Sequence, residues 1–170
     1  MKPIILNSII LGFITLSTIS NAQELGPESF DFWVGQWDLT WDDGDGKVGK
    51  GTNHIIKTLD DKVIQENFKA VEGQLLGFKG TSLSVFNPNN KEWHQAWADN
   101  QGGYFNFVGD SDGDKKIFKT QPVERDNKTI ILRMVFYDFS KNTLTWDWER
   151  SEDGGKTWNL SWRINYARVK

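Results

Sequence analysis

The sequence lacks cysteine altogether and has only two histidines among its 170 residues. Without cysteine, neither a disulfide framework nor a lipid-modified cysteine is available, so packing alone must hold the fold. His54 and His94 do not have the His-x-His or His-Glu-x-x-His spacing of zinc sites. Neither a Gly-x-Ser-x-Gly elbow nor a phosphate-binding loop occurs. The sequence therefore predicts no metal site and no bound cofactor.

An excess of charge of one sign is also lacking. The chain has 20 basic and 23 acidic residues, a net charge of −3, and the two signs are interspersed. A nucleic-acid groove needs a basic stripe that follows the phosphate backbone. We therefore expect a small-molecule or oligosaccharide ligand, and no nucleic-acid partner. The pattern gives no prediction of the oligomeric state.

Long hydrophobic runs are absent beyond the first 22 residues. Lys2 precedes a mostly apolar run over residues 4–19, which ends in Ser20-Asn21-Ala22. This arrangement is typical of a secretory signal peptide, and the run is too short and too interrupted by polar residues for a membrane anchor. We expect cleavage near Ala22, a single domain over residues 23–170, and a secreted or periplasmic location.

Aromatic residues are abundant, with nine Trp, eleven Phe and three Tyr. From residue 35 onward, turn signals rich in Gly, Asp and Asn recur about every ten residues, and runs of Trp, Phe, Ile, Val and Thr separate them. This spacing predicts an all-β antiparallel fold with a short helical turn over residues 27–34. About ten strands are expected, near residues 36–42, 50–58, 62–70, 75–86, 91–99, 103–109, 115–121, 128–138, 143–150 and 157–168.

Alternation along the last strands predicts one dry and one wet face. Leu144, Trp146 and Trp148 share a face, and the last strand places a similar set on its dry side: Trp158, Leu160, Trp162, Ile164 and Tyr166. Residues 128–138 are apolar on both faces, so the pattern does not orient that strand.

The opening stretch "FDFWVGQWDL", residues 30–39, resembles the Gly-x-Trp entry of lipocalins and the wider calycin barrels. The chain is also similar to a secreted bacterial group of lipocalin-like domains of unknown function, which share such an opening and a "WxQxWxD" strand, here Trp93 to Asp99. The resemblance implies a calycin-like barrel with a cavity, in which Trp37 closes one end beneath a short helix. The paired cysteines of true lipocalins are missing, and the strand count is nearer ten than eight.

The strand at 91–99 carries an unusual row, since Trp93, Gln95, Trp97 and Asp99 share one face. If that face points inward, the amide and carboxylate need partners, because an unsatisfied buried polar group costs about 1–3 kcal/mol. A ligand, a buried water or a neighbouring strand could supply them; alternatively, they pair internally or lie at the rim.

A second polar row, Gln65 and Asn67, lies on the predicted strand at 62–70 and is expected near the first. The opposite face of that strand carries Ile64, Glu66 and Phe68. Indoles interleaved with amides and carboxylates suit a sugar, whose C–H faces stack on rings while its hydroxyls bond polar groups. We therefore expect ligand contacts from six residues: Trp93, Gln95, Trp97, Asp99, Gln65 and Asn67.

If the protein is an enzyme, the available residue types fit a metal-independent elimination from a uronate, as in a lyase or dehydratase. Such a reaction needs a base and a cation that neutralises the acid group. Tyr104, Tyr137 or His94 would be the base, and Arg133 or Arg163 the cation; the predicted catalytic set is Tyr104, Arg133 and His94. His94 falls on the face opposite Trp93.

One further motif predicts structure rather than chemistry. "SEDGGKTW", residues 151–158, resembles the Asp-box of sialidases, a device in which a carboxylate bonds turn amides. We interpret Asp153 and Trp158 as holding the turn before the last strand.

Three functional classes remain open at this point. The first is a carbohydrate-active protein that binds an oligosaccharide in a barrel cavity, with or without elimination chemistry. The second is a non-catalytic, lipocalin-like carrier of a small hydrophobic ligand. The third is a structural or partner-binding domain whose Trp residues are core. A sugar site predicts inward Trp residues beside polar groups, a carrier predicts an aliphatic closed cavity, and a structural domain predicts no cavity.

Overall fold

A computed structural model of the protein describes residues 24–170, so the expected signal peptide over residues 1–22 lies outside the described residues. This part of the chain forms one 3-10 turn, Asp31–Trp33, and eleven β-strands. None of its helices is long and apolar enough to cross a membrane. The strands are β1 Gly35–Asp42, β2 Val48–Thr58, β3 Val63–Glu72, β4 Lys79–Asn87, β5 Glu92–Asp99, β6 Tyr104–Asp112, β7 Lys115–Lys119, β8 Val123–Arg125, β9 Lys128–Tyr137, β10 Thr143–Ser151 and β11 Asn159–Arg168.

Ten of these strands close into an antiparallel barrel. From β1 to β7 each strand pairs with the next, then β7 pairs with β9, β9 with β10, β10 with β11, and β11 returns to β1. The short β8 pairs with β9 alone and lies outside the ring. The predicted all-β barrel of about ten strands is confirmed and is consistent with a calycin-like fold; only β8 was not predicted.

Strict alternation decides which side chains enter the barrel. On β1, Trp37, Leu39 and Trp41 are buried, whereas the residues between them are exposed. The same period of two puts Met134 and Phe136 of β9 inside and Arg133 and Tyr137 outside. The outward side chains of β9 have charged partners on the neighbouring strand β10. This pairing orients the strand that the sequence pattern left open.

A β-bulge interrupts the alternation where β10 meets β11. Trp148 pairs with Trp162, but the next residue, Glu149, pairs with Leu160, so one extra residue stands on β11. Because a bulge shifts the alternation by one, Leu160 faces outward and is 49% exposed. Trp158 also lies outside, over the guanidinium of Arg133. The expectation that Leu160 and Trp158 share the inner face of Trp162 is therefore wrong.

The N-terminal segment closes one end of the barrel, which we call the floor. The Phe30 ring stacks on Phe118 at 4.3 Å and meets the edge of Trp93 at 5.1 Å. The indole of Trp37 donates to the carbonyl of Trp33 at 2.8 Å, as the calycin resemblance implies for a Trp beneath a short helical turn. Trp33, Trp37 and Trp93 are each at most 2% exposed. The floor is thus a packed aromatic layer.

Candidate functional site

The upper half of the barrel, opposite the floor, contains a cavity of about 290 Å³ that opens toward the turns β3–β4 and β5–β6. Nine of its fourteen lining residues are aromatic. Concave sites of this kind, with apolar walls and few polar groups, are typical of small-ligand binding. The lining residues are Glu66, Phe68, Leu75, Phe78, Trp97, Asp99, Phe105, Phe107, Met134, Trp146, Trp148, Trp162, Ile164 and Tyr166.

The aromatic walls form one connected set of rings. Trp146 and Trp148, two residues apart on β10, are parallel with ring centroids 6.4 Å apart. Phe105 of β6 meets the edge of Trp148 at 5.7 Å, and Trp162 of β11 meets the edge of Trp146 at 5.7 Å. The aromatic rings of β6, β10 and β11 therefore surround the cavity with both their faces and their edges.

Glu66 is the buried acid of this cavity. It points inward from β3 and is 5% exposed. One carboxylate oxygen accepts a hydrogen bond from Asn53 Nδ2 at 2.7 Å, and the other accepts from Ser82 Oγ at 2.7 Å. Burial raises the pKa of Glu66 to about 7, because the two neutral donors offset only part of the lost hydration.

Two further polar groups lie beside Glu66. Asn53 Nδ2 also approaches the Tyr166 hydroxyl oxygen at 3.3 Å, while Asn53 Oδ1 is buried and accepts no hydrogen bond within residues 24–170. Burial raises the pKa of the Tyr166 hydroxyl, and the nearby charge of Glu66 raises it further. Strands β2, β3, β4 and β11 thus each contribute one polar group to a small cluster at the lower end of the cavity.

Trp97 and Asp99 form the mouth of the cavity. The Trp97 indole N–H donates to Asp99 Oδ2 at 3.1 Å, and Asp99 Oδ1 accepts from the backbone N–H groups of Gly103 and Gln101 at 2.8 and 2.9 Å. Desolvation alone would raise the pKa of Asp99, but the bonds from Gly103, Trp97 and Gln101 together lower it. Asp99 is therefore an ionised carboxylate that fixes both the indole and the β5–β6 turn.

A second pair of Trp and Asp, two residues apart, forms the same arrangement of hydrogen bonds at another point of the rim. The Trp41 indole N–H donates to Asp43 Oδ1 at 3.2 Å, and Asp43 Oδ2 accepts from the backbone N–H of Gln74 at 2.8 Å. In both pairs the indole lies against a glycine of a neighbouring strand: a Cβ on Gly49 of β2 would overlap Trp41, and a Cβ on Gly80 of β4 would overlap Trp97. Glycine at these positions lets the rings lie flat along the barrel wall.

The charges of the lining have one sign. Among residues 24–170, Glu66 and Asp99 are its only ionisable residues besides Tyr166, and no Lys, Arg or His of this range lines the cavity. Elsewhere in the described chain, no cluster of three or more His, Asp or Glu side chains is arranged to hold a metal ion. The cavity therefore combines aromatic walls with hydrogen-bond acceptors and uncompensated negative charge.

A wider groove of about 1080 Å³ lies outside the barrel, between residues 26–32 and the β6–β7 and β9–β10 turns. It is lined by acidic and basic side chains of these turns and by three aromatic residues, Phe32, Tyr137 and Phe139. It is more open than the cavity and does not enclose a ligand. For that reason we place the candidate site in the cavity.

The predicted row on β5 points inward as a whole, but its members lie at different depths. Trp93 belongs to the floor, where its indole N–H donates to the carbonyl of Gly26 at 2.9 Å. Gln95 is buried between the floor and the cavity; its amide N–H donates to Ser84 Oγ at 2.9 Å, and its oxygen has no partner in the described chain. Only Trp97 and Asp99 line the cavity.

The predicted second row lies on the outside. Gln65 Nε2 approaches Asn67 Oδ1 at 3.5 Å, and Asn67 Nδ2 donates to the carbonyl of His54 at 3.2 Å, both on the outer surface. Neither residue lines the cavity, which instead receives Glu66 from the reverse face of β3. The signal for Glu66 was present in the sequence, since it is the one charged residue in the otherwise apolar period-two set Ile64, Phe68 and Ala70.

The structure does not bring the predicted catalytic set together. Tyr104 is 62% exposed and donates to Asn106 Oδ1, and His94 Nε2 lies 3.4 Å from Glu92 on the outer face of β5. Arg133 is paired with Glu149 at 2.6 Å. Strands β5 and β9 are separated by β6 and β7, a span of roughly 14 Å at the usual strand spacing. None of the three side chains lines the cavity.

The alternative base and cation, Tyr137 and Arg163, also lie outside. Arg163 binds Asp147 through two nitrogens at 2.7 Å each, and the Tyr137 hydroxyl donates to the same carboxylate at 3.0 Å. Burial and the Asp147 hydrogen bond raise the pKa of Tyr137 to about 12. This cluster joins β9, β10 and β11 on the outer wall.

The Asp-box stabilises the turn between β10 and β11. Asp153 Oδ1 accepts from the backbone N–H groups of Lys156 and Thr157, and its Oδ2 accepts from the Thr157 hydroxyl at 2.7 Å. Ser151 donates to Asp153 and accepts from the Gly155 N–H. These bonds lower the pKa of Asp153, first of all those from Thr157.

No protein-family model matches the chain, and a search of curated proteins found no match to it.

Proposed function

We propose that the protein binds one small, ring-containing ligand in the upper cavity and acts as a binding or carrier protein. The observation that carries this proposal is the open cavity of about 290 Å³ with nine aromatic lining residues and one buried carboxyl group. A barrel interior of this size can hold a single small molecule. The aromatic lining favours a flat ligand over the flexible aliphatic chain that an aliphatic cavity would suit.

The walls also offer unused hydrogen-bond donors. In the described part of the chain, the indole N–H groups of Trp146, Trp148 and Trp162 donate to no protein acceptor, and these rings pack against other aromatic rings of the lining. Indole N–H groups that are removed from water usually find a hydrogen-bond partner. An acceptor group on a bound ligand would supply one without disturbing the ring packing.

A neutral sugar is the second candidate, and the mouth of the cavity favours it. Trp97 presents an indole face beside the Asp99 carboxylate, which suits a sugar C–H face and an adjacent hydroxyl. A uronate gains no such support, because its charge would meet Glu66 and Asp99, and the described part of the chain places no basic side chain in the lining. Elimination chemistry gains none either, since Tyr104, His94 and Arg133 face the outer surface.

The nine indole N–H groups provide a direct test by NMR. We would titrate the ¹⁵N-labelled protein with 2-naphthol and with cellotriose and follow the indole signals, assigned by single Trp→Phe variants. Binding in the cavity should shift the signals of Trp97, Trp146, Trp148 and Trp162. Trp93 of the floor and the outer Trp158 are internal controls whose signals should stay unchanged, whereas Trp37 meets the edge of the lining residue Tyr166 at 5.7 Å and is not a control. Shifts confined to the control signals, or none with any probe, would overturn the proposal.

A matched pair of variants tests the same proposal by affinity. Trp148→Ala removes a wall of the cavity, and we expect at least a tenfold loss of affinity for the probe that binds. Trp158→Ala removes a half-buried indole from the outer face, and the affinity should remain within about twofold. Equal losses in both variants, measured by calorimetry, would place binding elsewhere.

A further inference from the structure

The charge of the cavity suggests what kind of ligand it selects. Its two carboxyl groups, Glu66 and Asp99, have no basic neighbour among the described residues of the lining. The donors to Glu66 are the neutral groups of Asn53 and Ser82. A buried carboxylate without a cation is costly, and in proteins such groups are usually paired. A positively charged group of a ligand would supply the missing partner.

The Glu66 cluster has room for further hydrogen-bond donors. A carboxylate oxygen can accept two hydrogen bonds, and each oxygen of Glu66 accepts one from the protein. Asn53 Oδ1, which accepts no hydrogen bond within residues 24–170, lies beside Glu66, but Asn53 is not a lining residue of the cavity. An alkylammonium group carries up to three N–H donors, which suits the free acceptor positions of the Glu66 carboxylate.

The walls favour a cation as well. Aromatic faces attract cations through the ring quadrupole, and Trp attracts them most strongly. Four of the lining residues are Trp. A cationic group that passes the mouth meets the Asp99 carboxylate first, then the indole faces, and finally Glu66.

We propose, on the basis of the proposed function, that the cavity selects ring-containing ligands with a protonated amine, which donates to Glu66 while the rings lie against the Trp walls. The ligand class is therefore an arylalkylamine or a related organic cation. A neutral N–H or hydroxyl donor could reach the same carboxylate, but it would leave the negative charge uncompensated.

Three probes with one ring system test this selection. We would measure binding of 2-naphthylmethylamine, 2-naphthylmethanol and 2-naphthoate at pH 8 by calorimetry and by the indole signals. The amine should bind at least tenfold more tightly than the alcohol, and the carboxylate should bind most weakly. Equal affinities for amine and alcohol would overturn the selection but leave the proposed function intact. If no probe binds, the proposed function itself fails.

The variant Glu66→Gln identifies the group responsible. Gln has nearly the same shape, can accept from Asn53 and donate to Ser82 Oγ, and carries no charge, so the ratio of the amine affinity to the alcohol affinity is the quantity to compare with the wild type. The preference for the amine should disappear. A preserved preference in a variant with dispersed indole signals would show that Glu66 is not the selecting group.

A pH series on the wild type gives a second measurement that needs no variant. Asn53, Ser82 and Tyr166 face Glu66 from β2, β4 and β11, and only Tyr166 among them titrates, with a raised pKa. Asp99 at the mouth stays ionised because its pKa is lowered. The preference for the amine should therefore grow between pH 6 and pH 8, as Glu66 loses its proton. A preference that does not change over this range would overturn the role of Glu66.

Discussion

The two ends of the barrel are built from the same kinds of residue and serve opposite purposes. At the floor, Trp33, Trp37 and Trp93 are buried, and the indole N–H groups of Trp37 and Trp93 donate to backbone carbonyls. In the upper half, the indole rings surround a cavity of about 290 Å³. The number of aromatic residues is therefore not what separates a packed core from a ligand cavity.

The difference comes from what stands opposite the rings. The N-terminal segment places Phe30 in the lower opening, where it contacts Trp93, Phe118 and Phe136. Within the described residues no such segment enters the upper end, where the Trp–Asp pairs at the rim hold Trp41 and Trp97 against the wall. The sequence thus fills the lower end with the N-terminal segment and keeps the upper end open with the Trp–Asp pairs, and these are two separate features.

We expect the largest effect from Trp→Ala substitutions at the two ends of the barrel, measured as losses in the free energy of unfolding. Trp93→Ala empties a fully packed site in the floor and should lower the free energy of unfolding by about 3–5 kcal/mol. Trp148→Ala removes a half-buried ring that already borders a cavity, and the loss should be only about 1–2 kcal/mol. Urea denaturation of both variants measures the difference. Equal losses would mean that the upper half is as tightly packed in solution as the floor.

The buried Glu66 should also make the free energy of unfolding depend on pH. Burial raises the pKa of Glu66 from 4.5 to about 7, so the folded protein keeps a proton that the unfolded chain releases between these values. The free energy of unfolding should therefore fall as pH rises through this window, by about 3 kcal/mol in total. Glu66→Gln should remove that slope and be the more stable protein at pH 8.

Urea denaturation at pH 4.5, 6 and 8 measures this slope. The same substitution at the exposed Glu124 of β8 is the control, and its profile should run parallel to that of the wild type. A Glu66→Gln variant with an unchanged slope would show that another group titrates in this range.

We expect the smallest loss of stability from substitutions in the Trp–Asp pairs at the rim. Asp99→Asn keeps an oxygen for the N–H groups of Gly103 and Gln101, but it removes the charge and replaces the acceptor of the Trp97 indole N–H by an NH2 group, and we expect a loss of about 0.5–1.5 kcal/mol at pH 7. Because the pKa of Asp99 is lowered, its contribution is present above pH 4 and is lost as pH falls. The loss should therefore shrink toward pH 3. Asp43→Asn at the second Trp–Asp pair should cost a similar amount at pH 7, and a much larger loss in either variant would show that the two pairs are not equivalent.

The architecture was predictable because turn residues and alternation are local signals. Ten of the eleven strands follow from turn spacing, and β1 shows its inner face in every second residue. The three-residue β8 gives no such pattern. Trp158 and Leu160 were placed on the wrong face, because a bulge opposite Glu149 depends on the pairing partner rather than on the strand itself.

The site was predictable only in part. Trp97 and Asp99 follow from a period-two row, but the same row contains Trp93, which belongs to the floor. Depth along the barrel axis depends on strand stagger, and one sequence does not encode it locally. Glu66 was overlooked in favour of Gln65 and Asn67, because polarity alone does not tell which face of β3 turns inward.

Closure of the ring has a consequence for behaviour at high concentration. A strand with an unpaired edge can add a strand from another molecule, which is the first step of edge-to-edge aggregation. In the described chain, both edges of the barrel strands are used by neighbours, and the free edge of the sheet belongs to β8. That strand has three residues, all exposed, and includes Glu124 and Arg125. Such a short, charged edge is a poor template, so ring closure protects a chain that has no disulfide from amyloid-like association.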